Sequence, residues 1–349
     1  MAIEYQPIES PIDGCRAQIL ALWSANLMGS SDAAAAKLDA GYLNNPAGKG
    51  GVVALRVEPR QEIVGVIGLH PRRFFKNEVP VAAANLADYA VDSAHRSVRP
   101  ALTLMRAALA RGLRRYAFVY GIPNRSAAGV CSRAGMTRVG SLALYTKLIS
   151  TLPRLRKRSK LPQSVVPLLA RVMDTGIRLA DGACAMLLRP RMKLREAAFD
   201  EPSIDAVWAR RPRDFLLSER TTLYMNWRFG STAGAPWRVC VAEDSAGSAL
   251  GFVVWRLVEG VATIGDFLCI DPARQVAAML HAFARFAAAR GAEATTLAFF
   301  GNVAVAGQFR RAGYFRLRHA DPLFAASLDA AEAPRLAGWY ITDFDNDNR

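Results

Sequence analysis

Short aliphatic runs of strand length alternate with alanine-rich runs of helical spacing along most of the 349-residue chain. Two β-hairpins are predicted, at residues 51–57 with 62–70 and at residues 238–242 with 251–258. After the first hairpin, the pattern predicts strands at 86–91 and 116–120, with a helix at 101–111 between them. A hairpin that leads into a β-α-β-α-β order indicates an α+β fold.

Glycine and asparagine mark the expected ends of the helices. Gly112 follows the 101–111 helix and is predicted to be its C-cap. Asn124 is predicted to cap a second helix, 125–133, which Gly135 ends. The apolar stripe of the first helix is predicted to be Leu102, Met105, Ala108 and Leu109.

The whole pattern occurs twice, offset by about 178 residues. The matched positions are Asp92 with Asp271, 110–112 with 289–291, Asn124 with Asn302, and 133–135 with 311–313. The sequence therefore predicts an N-terminal domain at 1–150 and a more degenerate C-terminal copy at 197–349. Each is expected to hold a mixed, mostly antiparallel sheet flanked by helices.

Residues 151–196, between the copies, are rich in Lys, Arg and Pro and are predicted to be a basic, partly helical connector. Residues 164–188 have helical periodicity. Two hypotheses stay open for this segment: a helix packed on a neighbouring domain, or an interfacial helix in peripheral contact with anionic lipid.

Charge and cysteine usage narrow the class of protein. Lys and Arg number 45 against 30 Asp and Glu, so the net charge of +15 favours anionic partners such as a phosphorylated cofactor. Nucleic acid is not expected, because no nucleic-acid-binding motif occurs. Five scattered cysteines indicate neither disulfides nor a metal site, and no long apolar run or leader is seen. We expect a cytoplasmic protein without a bound metal.

Two further segments have plain interpretations. Residues 71–76 mix cations with aromatics and are predicted to be a loop that joins two strands. Residues 339–347 are predicted to be a short strand that ends in an acidic, solvated tail, since the spacing of a calcium-binding loop is absent.

One stretch of the first copy resembles a known family. Arg96-Ser97-Val98-Arg99-Pro100-Ala101 stands between a predicted strand and helix, and Asn124 precedes Gly135-Met136. This order resembles the GNAT acyl-CoA N-acyltransferases, whose turn of pattern Arg/Gln-x-x-Gly-x-Gly/Ala binds pyrophosphate at a helix N-terminus. The resemblance covers roughly residues 20–150 and 200–349, so the fold it implies is two tandem GNAT-like domains.

The resemblance implies a cofactor site and catalytic groups in the first copy. The cofactor is acetyl-CoA or another acyl-CoA, and the residues that match its site are Tyr89, Ala90, Val91, Arg96, Ser97, Val98, Arg99, Pro100, Ala101 and Asn124. Asp88 is the candidate general base, with Asp266 its counterpart in the second copy. Cys131 stands where the family has a tyrosine, so Tyr120 is the candidate replacement for that phenol.

The function implied is an acyl-CoA-dependent N-acyltransferase, with N-acetyl transfer as the main expectation. The acceptor would be an amine of a small molecule or amino sugar, and the positive charge favours an anionic one. The alternative is a catalytically inactive GNAT-fold protein that binds a ligand or serves as a scaffold.

Overall fold

The computed structural model describes residues 4–10, 12–58, 61–152, 155–156, 162, 164–188, 192–230, 236–328 and 338–347. The elements of the first repeat are β1 (Glu4–Ser10), α1 (Ile12–Trp23), α2 (Ser31–Leu38), β2 (Gly51–Glu58), β3 (Glu62–Lys76), β4 (Val79–Val91), α3 (Val98–Leu113), β5 (Phe118–Gly121), α4 (Arg125–Ala134) and β6 (Thr137–Leu148). Helices α1 and α2 each continue into a π-helical turn, at Ser24–Met28 and Asp39–Leu43.

The second repeat follows a long helix, α5 (Val166–Leu188), that lies within the predicted connector. Its elements are β7 (Lys193–Ala197), α6 (Pro202–Ala209), β8 (Leu216–Ser218), α7 (Thr222–Phe229), β9 (Arg238–Glu243), β10 (Ala249–Val258), β11 (Val261–Cys269), α8 (Pro272–Ala288), β12 (Ala294–Gly301), α9 (Val303–Arg311), β13 (Phe315–Ser327) and β14 (Trp339–Thr342). Strand β7 pairs with β9, so the end of the predicted connector belongs to the sheet of the second repeat.

Both repeats share one sheet, in the order β1-β2-β3-β4-β5-β13-β6-β12-β11-β10-β9-β7. The last long strand of each repeat lies beside the other repeat: β13 pairs with β5, and β6 pairs with β12. The two exchanged strands pair with each other at the centre. The pairs β4–β5 and β11–β12 are parallel, and most other neighbours are antiparallel. The mixed, mostly antiparallel sheet predicted from the sequence is confirmed.

Local signals predicted several boundaries correctly. Both hairpins form, and the side chain of Asn124 caps α4 by accepting the N–H of Ala127 at 2.9 Å. Gly135 ends that helix with φ +104°, a backbone conformation that favours glycine. Asn302 caps α9 in the same way in the second repeat. These caps confirm the repeat as a structural one.

The expected role of Gly112 is wrong. The helix α3 continues to Leu113, and Gly112 is buried within it. A Cβ at Gly112 would lie 2.7 Å from a methyl of Val119 on β5, so glycine is needed there for close approach of helix and strand. The stripe that α3 buries includes Leu104 in place of the predicted Leu102.

Two further expectations are corrected. Residues 71–76 do not form a loop: they extend β3 and pair with the start of β4 from Pro71–Ala84 to Lys76–Val79. The C-terminal acidic segment is not a solvated tail. Asp345 is fully buried and forms an ion pair with Arg220 at 2.9 Å. The buried cation of Arg220 stabilises the acidic segment inside the protein. Sequence patterning alone had predicted that this segment is exposed to water.

Candidate active site

The candidate site is a cleft between β4 and β5 in the first repeat. These strands pair at only three positions, Ala83–Phe118, Ala84–Val119 and Asn85–Tyr120, and β5 then ends while β4 continues. The gap opens a cleft of about 380 Å³. Its lining residues are Leu27, Met28, Ala33, Lys37, Ile67, Leu86, Ala87, Asp88, Tyr89, Met105, Gly121, Ile122, Pro123, Asn124, Ala127, Cys131 and Asp347.

A bulge in β4 shapes the wall of the cleft. The pairing with β3 shifts register between Val66 and Gly68, and Asp88 takes a φ of +51°. A positive φ is uncommon for a residue other than glycine, so the surrounding structure must hold it. The indole Nε1 of Trp23 donates to the carbonyl oxygen of Asp88 at 3.0 Å, and the Asp88 N–H donates to Asp347 Oδ2 at 3.2 Å. These bonds fix the bulge from both sides.

The carboxylate of Asp88 is buried among polar partners. Lys37 Nζ lies 2.6 Å from one oxygen, while the Tyr42 hydroxyl donates to the other at 2.8 Å and His70 Nε2 lies 3.3 Å away. Burial alone would raise the pKa of Asp88, but the contact with His70 and the charge of Lys37 outweigh it and bring the pKa to about 2. A carboxylate with that pKa is a weak base at neutral pH, so the geometry favours Asp88 as a fixed negative charge.

Tyr89 lies on the opposite face of the strand from Asp88, against the apolar cluster that contains Cys131. Its hydroxyl is buried and has no hydrogen-bond partner among the described residues. Burial, and secondarily the neighbouring Cys131, raise the pKa of Tyr89, so the phenol stays protonated. Burial also raises the pKa of the Cys131 thiol to about 11, which leaves it a neutral apolar group.

Tyr120 does not reach the cleft. It is fully buried in a separate aromatic cluster with Phe74, Phe118 and Trp339. Its hydroxyl donates to the carbonyl oxygen of Asp345 at 2.9 Å. The alternation of side chains along β5 turns Tyr120 into the core, so we do not retain it as the catalytic phenol.

The turn after β4 leaves a helix N-terminus open to solvent. Ser97 is the N-cap of α3 but makes no side-chain capping bond, and Arg96, Val98 and Arg99 are exposed around it. Arg96 is positioned by its donation to the Val91 carbonyl at 3.1 Å. The N–H groups at the start of α3 and two exposed arginines thus lie within four consecutive residues, an arrangement typical of anion sites at helix N-termini.

The remaining predicted cofactor residues are divided between the turn and the cleft. Ala90 and Val91 pair with β3, so their backbone is part of the sheet beside the turn. Pro100 is buried and Ala101 half-buried in the first turn of α3. Asn124 lines the cleft while its side chain caps α4. Of the predicted cofactor residues, Tyr89 and Asn124 line the cleft, and Arg96 bonds to Asn26, the neighbour of the cleft residue Leu27.

The sequence did not point to Lys37, Tyr42, His70 or Asp347. Each comes from a different element and meets Asp88 only in the folded chain. Tyr89, in contrast, was predicted as a residue of the cofactor site, and it lines the cleft.

The matching gap in the second repeat is closed. Strands β11 and β12 pair from Val261–Ala294 to Ile264–Leu297, and beyond that point β14 pairs with β12. Tyr340 of β14 fills the space, with its ring 5.7 Å from that of Phe267 and 5.2 Å from that of Phe299. The second repeat therefore lacks the open cleft of the first.

The counterpart carboxylate, Asp266, likewise has a structural role. It is fully buried and pairs with Arg220 at 2.9 Å, and Arg220 also holds Asp345. Burial raises the pKa of Asp266 to about 6 despite the arginine.

Across the part of the chain that the structure describes, no group of three or more His, Cys, Asp or Glu side chains could hold a metal ion. No helix in the same ranges is long and apolar enough to cross a membrane.

Neither a family model nor a curated protein matches this sequence. The fold, in contrast, matches solved structures over nearly the whole chain. The GCN5-related N-acetyltransferase from Anabaena variabilis matches with a TM-score of 0.65 at 10% identity, over 93% of this chain and 73% of that one. A conserved protein of unknown function from Enterococcus faecalis, described as a probable N-acyltransferase, matches with a TM-score of 0.62 at 11% identity, over 94% and 72%.

A third match is N-myristoyltransferase from Saccharomyces cerevisiae, solved with bound myristoyl-CoA. Its TM-score is 0.55 at 12% identity, over 93% of this chain and 79% of that one. The fold is thus the α+β GNAT fold of these structures. This chain has it in a two-repeat form, with an open cleft in the first repeat and two exchanged strands.

Proposed function

We propose that the protein is an acyl-CoA-dependent N-acyltransferase, with acetyl-CoA as the first candidate donor, and that only its first repeat binds the donor. The observation that carries this proposal is the contrast between the repeats. In the first repeat the gap after β4–β5 is an open cleft beside an exposed helix N-terminus, and in the second β14 occupies the gap. The solved relatives with this fold include acyltransferases, one of them with bound myristoyl-CoA.

The residues of the first repeat fit such a donor. Arg96, braced by Asn26 at 2.6 Å, and the exposed Arg99 would bind the pyrophosphate together with the free N–H groups at the start of α3. The apolar part of the cleft, with Met105 and Ile122 in its wall, suits the thioester arm and acyl chain. The Tyr89 hydroxyl, which has no hydrogen-bond partner among the described residues, is available to form a hydrogen bond with the donor.

Acyl transfer needs one proton removed and one supplied. The acceptor amine must lose a proton before its nitrogen attacks the thioester carbon, and the departing sulfur gains a proton as the C–S bond breaks. We assign proton donation to Tyr89 and proton removal to Asp347, which lines the cleft and whose Oδ2 also accepts the N–H of Asp88. Asp88 then holds Lys37 in place and attracts the acceptor ammonium.

The acceptor class we propose is a small amine or amino sugar, with an anionic acceptor favoured by the net charge of +15. The alternative function is a catalytically inactive GNAT-fold protein that binds acyl-CoA or another ligand. The observation that favours this alternative is Cys131, a neutral buried thiol at the position where the resemblance predicts a phenol.

The test is acyl-CoA binding by the full chain, measured by thermal shift and by titration calorimetry. We expect one donor molecule per chain and a rise in Tm of about 4 °C at a hundredfold excess over the dissociation constant. Arg96→Ala should weaken binding at least tenfold. Arg274→Ala, an exposed arginine at the start of α8 in the second repeat, should leave binding unchanged.

Three outcomes separate the hypotheses. Binding at one site per chain with turnover of an amine supports the proposed enzyme. Binding without turnover across a panel of amines and amino sugars supports the inactive alternative. No binding of any acyl-CoA, or equal loss in Arg274→Ala, overturns the assignment of the donor site to the first repeat.

A further inference from the structure

Two buried guanidinium groups lie outside the cleft and form no ion pair among the described residues. Arg72, on β3, is 2% exposed, and none of its three guanidinium nitrogens has a hydrogen-bond partner there. The indole ring of Trp227 lies 4.9 Å from the guanidinium carbon, and the hydroxyl of Tyr120 is also nearby. A buried cation with five unused N–H donors is costly unless something binds it.

Arg228, on α7, is the second group and is 7% exposed. Its Nη2 donates to the carbonyl oxygens of Asp343 and Asn346, but its Nε has no partner in the described ranges. Burial, and then the charge of Arg72, lower the pKa of Arg228 to about 10. The two cations therefore repel each other, while the charges of Asp343 and Asp347 act in the opposite direction.

Two of the nearby carboxylates are engaged by other cations: Asp345 is held by Arg220, and Glu219 pairs with Arg73 at 3.0 Å. Asp343 and Asp347 act on Arg228 through their charge. The hydroxyl of Tyr224, whose pKa is raised by burial and lowered in part by the charge of Arg72, has no hydrogen-bond partner among the described residues. Several N–H and O–H donors without partners thus lie in the buried region around Arg72.

We propose that Arg72 and Arg228 form an internal site for a small oxyanion, either a carboxylate or a phosphate group. The planar guanidinium fork matches the oxygen geometry of both. Trp227 covers one face of Arg72, which leaves the N–H edges to make the bonds. The site lies on the same face of β3 as His70, two residues away, which contacts Asp88 at the cleft.

The bound group has two sources, a free anion or the acidic end of an acceptor whose amine reaches the cleft. The second source rests on the proposed acyl transfer, whereas the first does not. Binding measurements with and without an amine distinguish them, and neither requires catalytic turnover.

The test measures Tm of the full chain in sodium phosphate, sulfate and acetate against sodium chloride at equal ionic strength. Every protein tested carries Arg96→Ala, so that anion binding at the exposed turn does not contribute to the change in Tm. We expect a rise of about 4 °C at a hundredfold excess over the dissociation constant, absent in Arg72→Met and retained in Arg73→Met, its exposed neighbour. Arg72→Lys keeps the charge without the fork and should bind at least tenfold more weakly.

The results decide as follows. If no oxyanion raises the Tm of the Arg96→Ala protein above its value in sodium chloride, the proposed site is refuted, whatever the Arg72 variants show. A rise that persists in Arg72→Met overturns it as well. If 4-aminobutyrate stabilises more than acetate while butylamine does nothing, the anion is part of an acceptor. If acetate and 4-aminobutyrate are equal, the anion is free, and the proposed acyl transfer is untouched.

A second inference rests on a different element, α5. Four of its large apolar side chains are between 65% and 75% exposed: Leu168, Val172, Leu179 and Met186. At about 100° per residue they fall within about 40° of one another, and they span about 27 Å along the axis. An exposed apolar stripe of this length is unusual on a folded protein and indicates a partner.

The opposite side of α5 is fastened to the protein. Asp174 accepts the N–H and the hydroxyl of Thr151, both at 2.8 Å, and Asp181 pairs with Lys147 at 2.7 Å. The acidic residues of the helix thus face the rest of the protein. Its arginines, Arg171 and Arg178, are exposed beside the apolar stripe. The outward face therefore combines apolar and positive groups.

We infer that this face of α5 lies on an anionic membrane surface, with the apolar stripe in the boundary between headgroups and acyl chains. The test is flotation with vesicles of phosphatidylcholine, with and without phosphatidylserine. We expect binding to the anionic vesicles that weakens with salt. Leu168→Ser with Leu179→Ser should reduce it at least tenfold, whereas Val303→Ser with Leu328→Ser, equally exposed elsewhere, should not. Absence of vesicle binding, together with a dimer that the first double variant dissociates, would show that the stripe pairs with a second copy of the chain instead.

Discussion

Replacement of Asp88 by Asn tests the electrostatic role assigned to this residue. The ordinary pKa of 3.8 falls to about 2 in the fold, because the contacts of His70 and Lys37 outweigh burial. This lowering of the pKa corresponds to about 2 kcal/mol of stability at neutral pH, present only while the carboxylate is charged.

The pH window follows from the direction of the shift. A lowered pKa gives stability that is complete above pH 3.8 and is lost as pH falls towards 2. At pH 3, which lies between the two pKa values, about half of this contribution remains. The difference between wild type and Asp88→Asn should therefore shrink by about 1 kcal/mol between pH 7 and pH 3.

Urea denaturation at pH 7, 5 and 3 measures this difference directly. Asp39→Asn is the matched control, since Asp39 pairs with Arg16 at 2.9 Å on the surface and should change stability by about 1 kcal/mol or less. A difference for Asp88→Asn that stays constant from pH 7 to pH 3 would refute the lowered pKa. Asp88 would then return as a candidate base.

Three further substitutions probe the site and the shared sheet. Tyr89→Phe should lower kcat about 100-fold with little change in donor KM, because only proton donation is lost; steady-state kinetics with the identified acceptor measures both. Gly140→Ala should cost about 1–3 kcal/mol in urea denaturation, since its Cβ would lie 2.0 Å from the Phe300 ring across the shared sheet. Gly129→Ala, on α4 with open space around it, should be neutral or stabilising by up to about 1 kcal/mol and so controls for the glycine change itself. Arg220→Ala should cost at least about 3–5 kcal/mol by the same measurement, because two buried carboxylates lose their shared cation; a loss under 1 kcal/mol would contradict the ion-pair geometry.

Helix caps and hairpins could be predicted from the sequence because their causes are local. Asn124 accepts an N–H three residues away, and Gly135 needs only its own φ. The turn at Arg96 is local too, since it joins a strand directly to a helix. Such signals require no knowledge of distant residues.

The candidate catalytic residues could be predicted only in part. Asp88 was found from its place on a strand, but its pKa depends on Lys37 and His70, which other elements supply. Tyr120 was chosen for its position at a strand end, and the side of the sheet on which it is buried excludes it. Which face of a strand meets which layer is a property of the assembled sheet.

The sequence by itself determined the repeat, the α+β order of elements and the location of the turn at Arg96, because periodicity and caps act over a few residues. Only the tertiary structure decided that β6 and β13 exchange places, that β14 closes the gap in the second repeat, and that Arg72 and Arg228 are buried without an ion pair among the described residues. Each of these joins residues far apart in the chain. Their cause is the pairing of strand edges and the burial of charge, which act on neighbours in space and leave no periodic trace in sequence.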